Sequence, residues 1–250
     1  MIALITGATA GFGKATAELF AANGWNLILC GRRKVRLDLL ERQLKEKFKI
    51  DIVTLAFDIR SNEEVKKAIA SLEGKWTSID LLLNNAGLAS GLSGIQDGNI
   101  DDWEQMIDTN VKGLLYMTRC VAPLMTANKK GHIINIGSIA GKEVYANGNV
   151  YCATKHAVDA LTKAMRIDLL SHNIRVTQIA PGMAETEFSI VRFKGDDERA
   201  KSVYKGLEPL RAEDIAETVW WVVNRPAHVN INDIVIMPTA QANSTTVIRK

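Results

Sequence analysis

Cysteine and histidine are scarce in this sequence of 250 residues. The three cysteines, Cys30, Cys120 and Cys152, form no CxxC pair, and the four histidines show no spacing typical of a metal site. We therefore expect neither a disulfide framework nor a bound metal. Unpaired cysteines are typical of a reducing compartment, which favours the cytosol.

Long apolar runs and an excess of one charge are also missing. No run approaches the roughly 18 apolar residues of a membrane span, and no basic leader precedes the first short apolar run, so we expect a cytoplasmic protein. Lysine and arginine number 31 against 28 aspartates and glutamates, dispersed along the chain. The net charge of +3 is too small to indicate nucleic acid or a membrane surface as a partner.

Short β-branched runs alternate with longer helical stretches along the whole chain. Most of the short runs are continuously apolar, which is typical of strands buried on both faces of a sheet. The predicted strands are residues 2–6, 26–30, 52–57, 81–84, 132–136, 175–179 and 234–237. The predicted helices are residues 12–23, 35–48, 101–128, 149–171 and 212–223, with a further one that opens at Ser61.

This alternation predicts an α/β fold with a doubly wound (Rossmann) parallel sheet of seven strands and helices on both faces. We expect a single domain over residues 1–250. Residues 185–210 carry many charges and no strand pattern, and we predict that they form a lid inserted into that domain. In such sheets, ligands bind beyond the carboxyl ends of the strands, at the point where strand order reverses.

A glycine-rich sequence, TGATAGFG, follows the first predicted strand. Glycines with this GxxxGxG spacing let the backbone turn tightly and approach a pyrophosphate at the start of the next helix. The alternative is a generic turn between a strand and a helix. We predict a nucleotide site whose contacts are Gly7, Thr9, Ala10, Gly11, Phe12 and Gly13.

The end of the second predicted strand bears on which nucleotide binds. A carboxylate here would accept hydrogen bonds from the ribose of NAD, whereas arginine suits the 2′-phosphate of NADP. The sequence has no acidic residue at this point but two arginines, Arg32 and Arg33. Because a guanidinium matches phosphate geometry, we predict NADP(H), and we expect one of the two arginines to be merely solvated.

Two further strand ends are candidates for adenosine contacts. Asp58 and Ile59 follow the third predicted strand, where Asp58 would bind the adenine amino group or serve as a turn residue before Ser61. Asn85, Ala86 and Gly87 follow the fourth, where a small residue would let the ribose lie close. Asparagines at a strand end are also common turn residues, so this second motif has the same alternative.

A candidate catalytic group lies in the second half of the chain. Tyr151 and Lys155 are four residues apart in a helical segment, and this spacing places them on one helix face. Ser138 follows the fifth predicted strand, and Asn110 lies within the long helix that precedes it. A buried tyrosine packed beside a surface lysine is the alternative interpretation of the first pair.

Together, these motifs resemble the short-chain dehydrogenase/reductase family over essentially the whole chain. The sequences TGxxxGxG, NNAG, NxxG, a serine after the fifth strand, YxxxK, and Pro181-Gly182 with Thr186 occur in the family's order. The resemblance implies that Tyr151 exchanges a proton with the substrate while nicotinamide exchanges a hydride. It further implies that Ser138 binds the substrate oxygen, that Asn110 anchors a water relay, and that Pro181, Gly182 and Thr186 contact the nicotinamide.

The proposed proton exchange requires a tyrosine that is more acidic than usual. A free phenol has a pKa near 10. An ammonium about 5 Å away favours the phenolate by roughly 3 kcal/mol, or about 2 pKa units, at an effective dielectric of about 20. We therefore expect Lys155 to lower the pKa of Tyr151 towards neutrality, and the resemblance implies that Lys155 also holds the nicotinamide ribose.

Residues 186–197 and several shorter stretches are similar to those of bacterial NADP-dependent 3-hydroxy acid dehydrogenases. That subgroup implies oxidation of serine, allo-threonine or 3-hydroxypropionate, or reduction of malonic semialdehyde. We predict that Arg192, with or without Lys194, binds the substrate anion when the lid closes. Both charges have an alternative as solvated partners of Asp196 and Asp197. The family further implies a homotetramer assembled through the two long helices.

Two other functions are compatible with the motifs. The first is a reductase for another small aldehyde or ketone, such as sulfoacetaldehyde. The second is a non-catalytic NADP-binding regulator that keeps the fold without turnover. A regulator of this kind usually lacks the tyrosine, the lysine or the serine, and this sequence has all three.

Overall fold

Seven strands form one parallel sheet in the order β3-β2-β1-β4-β5-β6-β7 in the computed structural model, which describes residues 1–250. All six pairings between neighbouring strands are parallel, which confirms the predicted doubly wound sheet. The strands are β1 (Ile2–Thr6), β2 (Asn26–Gly31), β3 (Ile52–Ala56), β4 (Leu81–Asn84), β5 (Gly131–Ile136), β6 (Ile174–Pro181) and β7 (Asp233–Ile236).

Helices cover both faces of this sheet. They are α1 (Gly11–Ala22), α2 (Lys34–Lys47), α3 (Asn62–Ala70), α4 (Ile100–Ile107), α5 (Leu114–Ala127), α6 (Asn149–Asp168), α7 (Glu187–Arg192), α8 (Asp197–Ser202) and α9 (Ala212–Val223). Apolar residues of α1, α2 and α9 pack on one face, and those of α3, α5 and α6 pack on the other. Alternate residues of β1 therefore enter two separate hydrophobic cores, as expected for a strand buried on both sides.

The long helix predicted over residues 101–128 is present as one unbroken helical run, but it is not α-helical throughout. The stretch contains α4, a π-helical segment at Asp108–Gly113, and α5. A π-helical turn widens the helix and is frequent at functional sites. Here it contains Asn110, whose amide is buried and bonded to the loop after β4.

The predicted lid region contains two short helices, α7 and α8, and no element of the central sheet. The side-chain oxygens of Thr186 and Asp196 cap α7 and α8 by accepting hydrogen bonds from Phe188 N and Arg199 N. None of the nine helices combines the length and apolar character needed to cross a membrane.

Candidate active site

Strand order reverses between β1 and β4, and a cavity of about 550 Å³ opens beyond the carboxyl ends of these strands. This volume is within the range of about 300–1,000 Å³ that is typical of small-molecule and cofactor sites. Residues that follow each of β1 to β6 line the cavity. The fold thus brings residues that are far apart in sequence to one place, as expected for a doubly wound sheet.

The glycine loop forms one wall of the cavity. Gly7 and Gly11 have φ angles of +65° and +50°, a conformation that glycine adopts without strain. A methyl group at Gly13 would lie 2.4 Å from the Gly7 carbonyl oxygen and 2.5 Å from the Asn85 amide nitrogen. Gly13 therefore allows α1 to start close to the loop, although it does not itself line the cavity.

The helix α1 begins at Gly11, within the glycine loop. The residue that precedes α1, Ala10, provides no side-chain cap for the helix N–H groups. Such N–H groups, together with the helix dipole, form an anion site that suits a pyrophosphate. Gly7, Thr9, Ala10, Gly11 and Phe12, all predicted contacts, line the cavity here.

Asn85 connects the glycine loop to the end of β4. Its side-chain amide donates hydrogen bonds to the carbonyl oxygens of Thr6 at 2.8 Å and Gly7 at 3.3 Å. The Thr6 hydroxyl in turn accepts hydrogen bonds from the backbone N–H groups of Asn85 and Ala86. Asn85, Ala86 and Gly87 all line the cavity, and the Asn85 amide additionally holds the loop in place.

Arg32 and Arg33 both line the cavity beyond β2. The Arg33 guanidinium donates a hydrogen bond to the Thr9 hydroxyl at 3.0 Å and forms an ion pair with Glu187 at 3.3 Å. Glu187 also pairs with Arg36 at 2.9 Å. Arg33 is therefore bonded to the glycine loop and to α7, whereas Arg32 is exposed and its side chain forms no hydrogen bond or ion pair.

Asp58 has the turn role that was one of its two alternatives. Its carboxylate accepts hydrogen bonds from the Arg60 guanidinium at 2.7 Å and from the Arg60 backbone N–H at 3.0 Å. Its backbone oxygen accepts a hydrogen bond from Ser61 N. Asp58 and Ile59 also line the cavity, and Ile59 packs against the position of Gly113.

Tyr151 and Lys155 project from the first turns of α6 into the cavity. Both side chains are buried, and the lysine Nζ lies 5.9 Å from the centre of the tyrosine ring. The lysine ammonium donates a hydrogen bond to the carbonyl oxygen of Ile136, the last residue of β5, at 2.9 Å. Ser138, two residues later, lines the same cavity, and its hydroxyl oxygen accepts a hydrogen bond from Ala140 N at 3.1 Å.

The sequence led us to expect that Lys155 lowers the pKa of Tyr151 towards neutrality, but in the structure the pKa of Tyr151 is raised. Burial raises the pKa of Tyr151 above its ordinary value, and the nearby Tyr145 adds to that rise. The Ser138 side chain and the charge of Arg192 act in the opposite direction and lower the pKa of Tyr151. Burial also lowers the pKa of Lys155 to about 8. In the protein alone, burial is therefore the largest influence on the pKa of both groups.

Asn110 contacts the site indirectly. Its side-chain amide donates hydrogen bonds to the Leu88 carbonyl at 2.8 Å and to the Thr154 hydroxyl at 3.0 Å. Its side-chain oxygen accepts a hydrogen bond from Leu88 N at 2.8 Å. Asn110 is buried and does not line the cavity, but a methyl group added at Gly87 would lie 3.2 Å from its side-chain oxygen and 3.6 Å from the Lys155 ammonium.

Two residues of α7, Phe188 and Arg192, lie next to the Tyr151 ring. The Phe188 ring lies 5.6 Å from the Tyr151 ring at an angle of 60°. Arg192 places its guanidinium carbon 5.7 Å from the centre of the Tyr151 ring. The Arg192 Nε donates a hydrogen bond to the Gly91 carbonyl at 3.3 Å, so this arginine is tied to the loop after β4.

Pro181, the last residue of β6, lines the cavity together with Gly182 and Thr186, which lie between β6 and α7. Thr186 packs over Gly11, whose added methyl group would lie 3.3 Å from the Thr186 Cβ. A methyl group at Gly182 would lie 2.5 Å from the side-chain oxygen of Gln241, so no larger residue fits here without displacement. The same Gln241 oxygen accepts a hydrogen bond from Met183 N at 2.7 Å and thereby fixes this loop.

Lys194, which was predicted as a possible partner of the substrate anion, lies outside the cavity. Its ammonium forms an ion pair with the Asp102 carboxylate at 3.0 Å, and it does not line the cavity. Asp102 also accepts a hydrogen bond from the Ser90 hydroxyl at 2.8 Å. Lys194 therefore connects the lid region to α4, and of the two candidates for the substrate anion only Arg192 faces the cavity.

Comparison with known proteins gives a consistent result. The family model described as short chain dehydrogenase matches residues 1–197. The chain belongs to the short-chain dehydrogenase family. It is 50% identical over 243 residues to the NADP-dependent 3-hydroxy acid dehydrogenase YdfG of Salmonella typhi, a match that spans 97% of this chain and 96% of that one.

Two further family members are similar over nearly the full length. Serine 3-dehydrogenase of Rhizobium radiobacter is 44% identical over 239 residues, covering 96% of this chain and 94% of that protein. The closed form of a serine dehydrogenase complexed with NADP⁺ superposes with a TM-score of 0.93 at 47% identity and covers 100% of both chains. The predicted family and fold are thus confirmed.

Several residues line the cavity without having been predicted from the sequence, including Tyr145, Phe188, Tyr204 and Gln241. Phe188 lies in the stretch 186–197, whose similarity assigns it no role, and the other three belong to no motif. Gln241 reaches the site from beyond β7. Glu187 was missed for a different reason. It stands directly after Thr186 in a charged segment, and only the fold brings it to the arginines at the end of β2.

Proposed function

We propose that this protein is an NADP(H)-dependent oxidoreductase that transfers a hydride between the coenzyme and a small 3-hydroxy acid. The observation that carries the proposal is the meeting of three groups in one cavity: the Tyr151–Lys155–Ser138 set, the glycine loop with Arg32 and Arg33, and the cation Arg192. The names of the relatives point to the same chemistry, since they include NADP-dependent 3-hydroxy acid dehydrogenase and serine 3-dehydrogenase.

The coenzyme side of the cavity fits a dinucleotide. The unstrained positive φ angles of Gly7 and Gly11, with the uncapped start of α1, suit a pyrophosphate. Arg32 and Arg33 are the cations available to a 2′-phosphate, and no carboxylate follows β2 directly in sequence. When bound, the nicotinamide donates the hydride in reduction and accepts it in oxidation.

The remaining steps belong to side chains of the protein. The hydroxyl of Tyr151 donates a proton to the substrate oxygen in reduction and recovers one in oxidation. Ser138 donates a hydrogen bond that orients the same oxygen, and Lys155 holds the ribose and stabilises the phenolate. Asn110, through its bonds to Leu88 and Thr154, fixes the backbone around the lysine, where the family implies a water relay.

Arg192 is the residue proposed to bind the substrate anion. It lines the cavity, and its guanidinium faces both Tyr151 and Tyr145. A carboxylate bound there would place a β-hydroxyl carbon of a short acid near the phenol. A sulfonate would fit the same cation, so reduction of sulfoacetaldehyde is the second candidate function.

We propose that residues 185–210 act as a lid that closes over the substrate. Three observations support this: α7 covers Tyr151 through Phe188, carries Arg192, and is joined to the sheet by no strand pairing. Closure would exclude water and strengthen the pairing between Arg192 and an anion.

We further propose a cytoplasmic homotetramer. The large exposed apolar residues of α4 to α6 and the turn that follows support an assembly through these helices, because an oligomer would bury apolar surface that the single chain leaves exposed. They are Ile100, Ile107, Leu115, Ile167 and Leu170, with exposed fractions from 38% to 75%. Light scattering coupled to size-exclusion chromatography measures the mass directly, and a monomer would contradict the proposal.

A substrate panel tests the proposed function. L-Serine, L-allo-threonine, 3-hydroxypropionate and isethionate are each offered with NADP and with NAD, and reduction of small aldehydes is followed with NADPH. We expect turnover of at least one 3-hydroxy acid and a preference for NADP. A preference for isethionate would favour the sulfoacetaldehyde function, a preference for NAD would contradict the role of Arg32 and Arg33, and no turnover at all would favour a regulator.

A further inference from the structure

The carboxylate of Glu187 lies between two arginines at the rim of the cavity. Its oxygens accept hydrogen bonds from the Arg33 guanidinium at 3.3 and 3.4 Å and from the Arg36 guanidinium at 2.9 and 3.1 Å. Glu187 and Arg33 both line the cavity, whereas Arg36 does not. The Arg33 side chain also donates to Thr9 in the glycine loop, so it is held at the edge of the coenzyme region.

An acidic side chain therefore lies beside the arginines at the end of β2, although no acidic residue directly follows β2 in the sequence. The sequence at this point is Cys30-Gly31-Arg32-Arg33, and Glu187 comes from 154 residues further along the chain. A carboxylate on an arginine is the interaction that a phosphate would also make. Glu187 and a bound 2′-phosphate would thus use the same donors of Arg33.

We propose that Glu187 is an internal competitor for the 2′-phosphate of the coenzyme and so a specificity-determining residue of the coenzyme site. The inference rests on the proposed NADP(H) dependence. In the absence of a 2′-phosphate, Glu187 neutralises Arg33. A coenzyme that carries the phosphate displaces the carboxylate from Arg33, and Arg36 retains it.

The charges and exposures of the three side chains support such an exchange. Glu187, Arg33 and Arg36 are each between 45% and 47% exposed, and ion pairs at this exposure are weak. A phosphate carries up to two negative charges, so its attraction to Arg33 is stronger than that of a single carboxylate. Because Arg36 lies outside the cavity, it offers Glu187 a second partner that the coenzyme does not need. The first residue of α7 would then stay tethered while Arg33 changes its partner.

Glu185 provides a matched control. It is an exposed glutamate two residues before Glu187 on the same segment, forms no ion pair, and does not line the cavity. Substituting either residue by glutamine removes one negative charge from the same region. Only the substitution at Glu187 removes a carboxylate from Arg33, so a difference between the two variants reports the direct competition.

The test measures binding rather than turnover. Adenosine 2′,5′-bisphosphate and adenosine 5′-monophosphate, which differ only in the 2′-phosphate, are titrated calorimetrically into the wild type, Glu187→Gln and Glu185→Gln. We expect Glu187→Gln to bind the bisphosphate about two- to fivefold more tightly than the wild type does, the range set by one exposed ion pair. Its affinity for the monophosphate should not change, and Glu185→Gln should match the wild type for both ligands.

Three other results would each contradict the inference, and one of them would also contradict the proposed coenzyme. If Glu187→Gln binds the bisphosphate no more tightly than Glu185→Gln does, the competition does not exist, and the proposed coenzyme choice is unaffected. If the affinity for both ligands rises equally, Glu187 does not act on the 2′-phosphate, and the inference also fails. If the wild type itself binds the two ligands equally, the coenzyme choice fails, and the inference fails with it.

Discussion

The guanidinium carbon of Arg192 lies 5.7 Å from the ring centre of Tyr151 and 5.6 Å from that of Tyr145. One cation thus faces the proposed proton donor and the space where a substrate would lie. Its charge lowers the pKa of the phenol against the effect of burial. Arg192 therefore has two separable effects, one on substrate affinity and one on the proton exchange.

The effect on affinity is tested by Arg192→Ala. Loss of a charged hydrogen bond to a carboxylate costs about 1.5–3 kcal/mol, so KM for a 3-hydroxy acid should rise about 10- to 150-fold. KM for a neutral aldehyde should change far less, because it has no anion to bind. Lys194→Ala is the control, since Lys194 pairs with Asp102 outside the cavity and should leave both KM values nearly unchanged. Equal increases for the acid and the aldehyde would contradict the role of Arg192.

The raised pKa of Tyr151 predicts different pH dependences for the two directions of the reaction. Reduction needs the protonated phenol, which predominates at neutral pH because burial raises the pKa. Oxidation needs the phenolate, whose fraction grows about tenfold per pH unit below that pKa. We expect kcat for oxidation to rise steadily from pH 7 to 9 while kcat for reduction stays level. Parallel profiles in the two directions would contradict this assignment.

The variant Tyr151→Phe tests whether the Tyr151 hydroxyl transfers the proton. The substitution removes only the hydroxyl, so we expect kcat to fall about 10²- to 10⁴-fold in both directions. Binding of NADPH, followed by its fluorescence, should persist because the ring and its contact with Phe188 remain. Turnover at the wild-type rate would exclude Tyr151 as the proton donor.

The sequence predicted the elements whose signal is local. The apolar strands appear within two residues of their predicted ends, and the i, i+4 spacing of Tyr151 and Lys155 places both in one cavity. The glycine motif likewise predicted the turn at Gly7 and Gly11, because only a local backbone conformation is required there. Motifs of this kind depend on neighbours in the chain, which a sequence displays directly.

Features that depend on distant residues could not be predicted in the same way. The carboxylates that pair with Lys194 and Arg33 come from Asp102 and Glu187, far away in sequence. The direction of the Tyr151 pKa shift is set by burial, which depends on the packing of the whole fold and which the i, i+4 spacing of Tyr151 and Lys155 does not reveal. The π-helical turn around Asn110 also escaped prediction, since its residues continue the helical pattern on both sides.

Gly13→Ala tests the packing beneath the coenzyme site. The added methyl group would lie 2.4 Å from the Gly7 carbonyl oxygen, so either α1 or the glycine loop must shift. We expect a loss of about 1–3 kcal/mol in the free energy of unfolding, together with weaker NADPH binding. Gly31→Ala is the control at the same edge of the sheet, because its methyl group would approach only the Thr9 methyl at 3.2 Å and Leu37 at 3.7 Å. Equal losses in the two variants would contradict the special role of Gly13.

Lys155 should make the stability of the protein depend on pH above neutrality. Its pKa falls from the usual 10.5 to about 8 because the ammonium is buried, so between these values the unfolded chain binds more protons than the folded one. Stability therefore rises with pH through this window and is lost as pH falls towards 8. Between pH 7 and 9 the free energy of unfolding of the wild type should increase by about 1 kcal/mol relative to Lys155→Met, in which no charge is buried. Urea denaturation of both proteins at the two pH values measures this difference directly. Parallel changes in the two proteins would mean that Lys155 is not desolvated in the folded state.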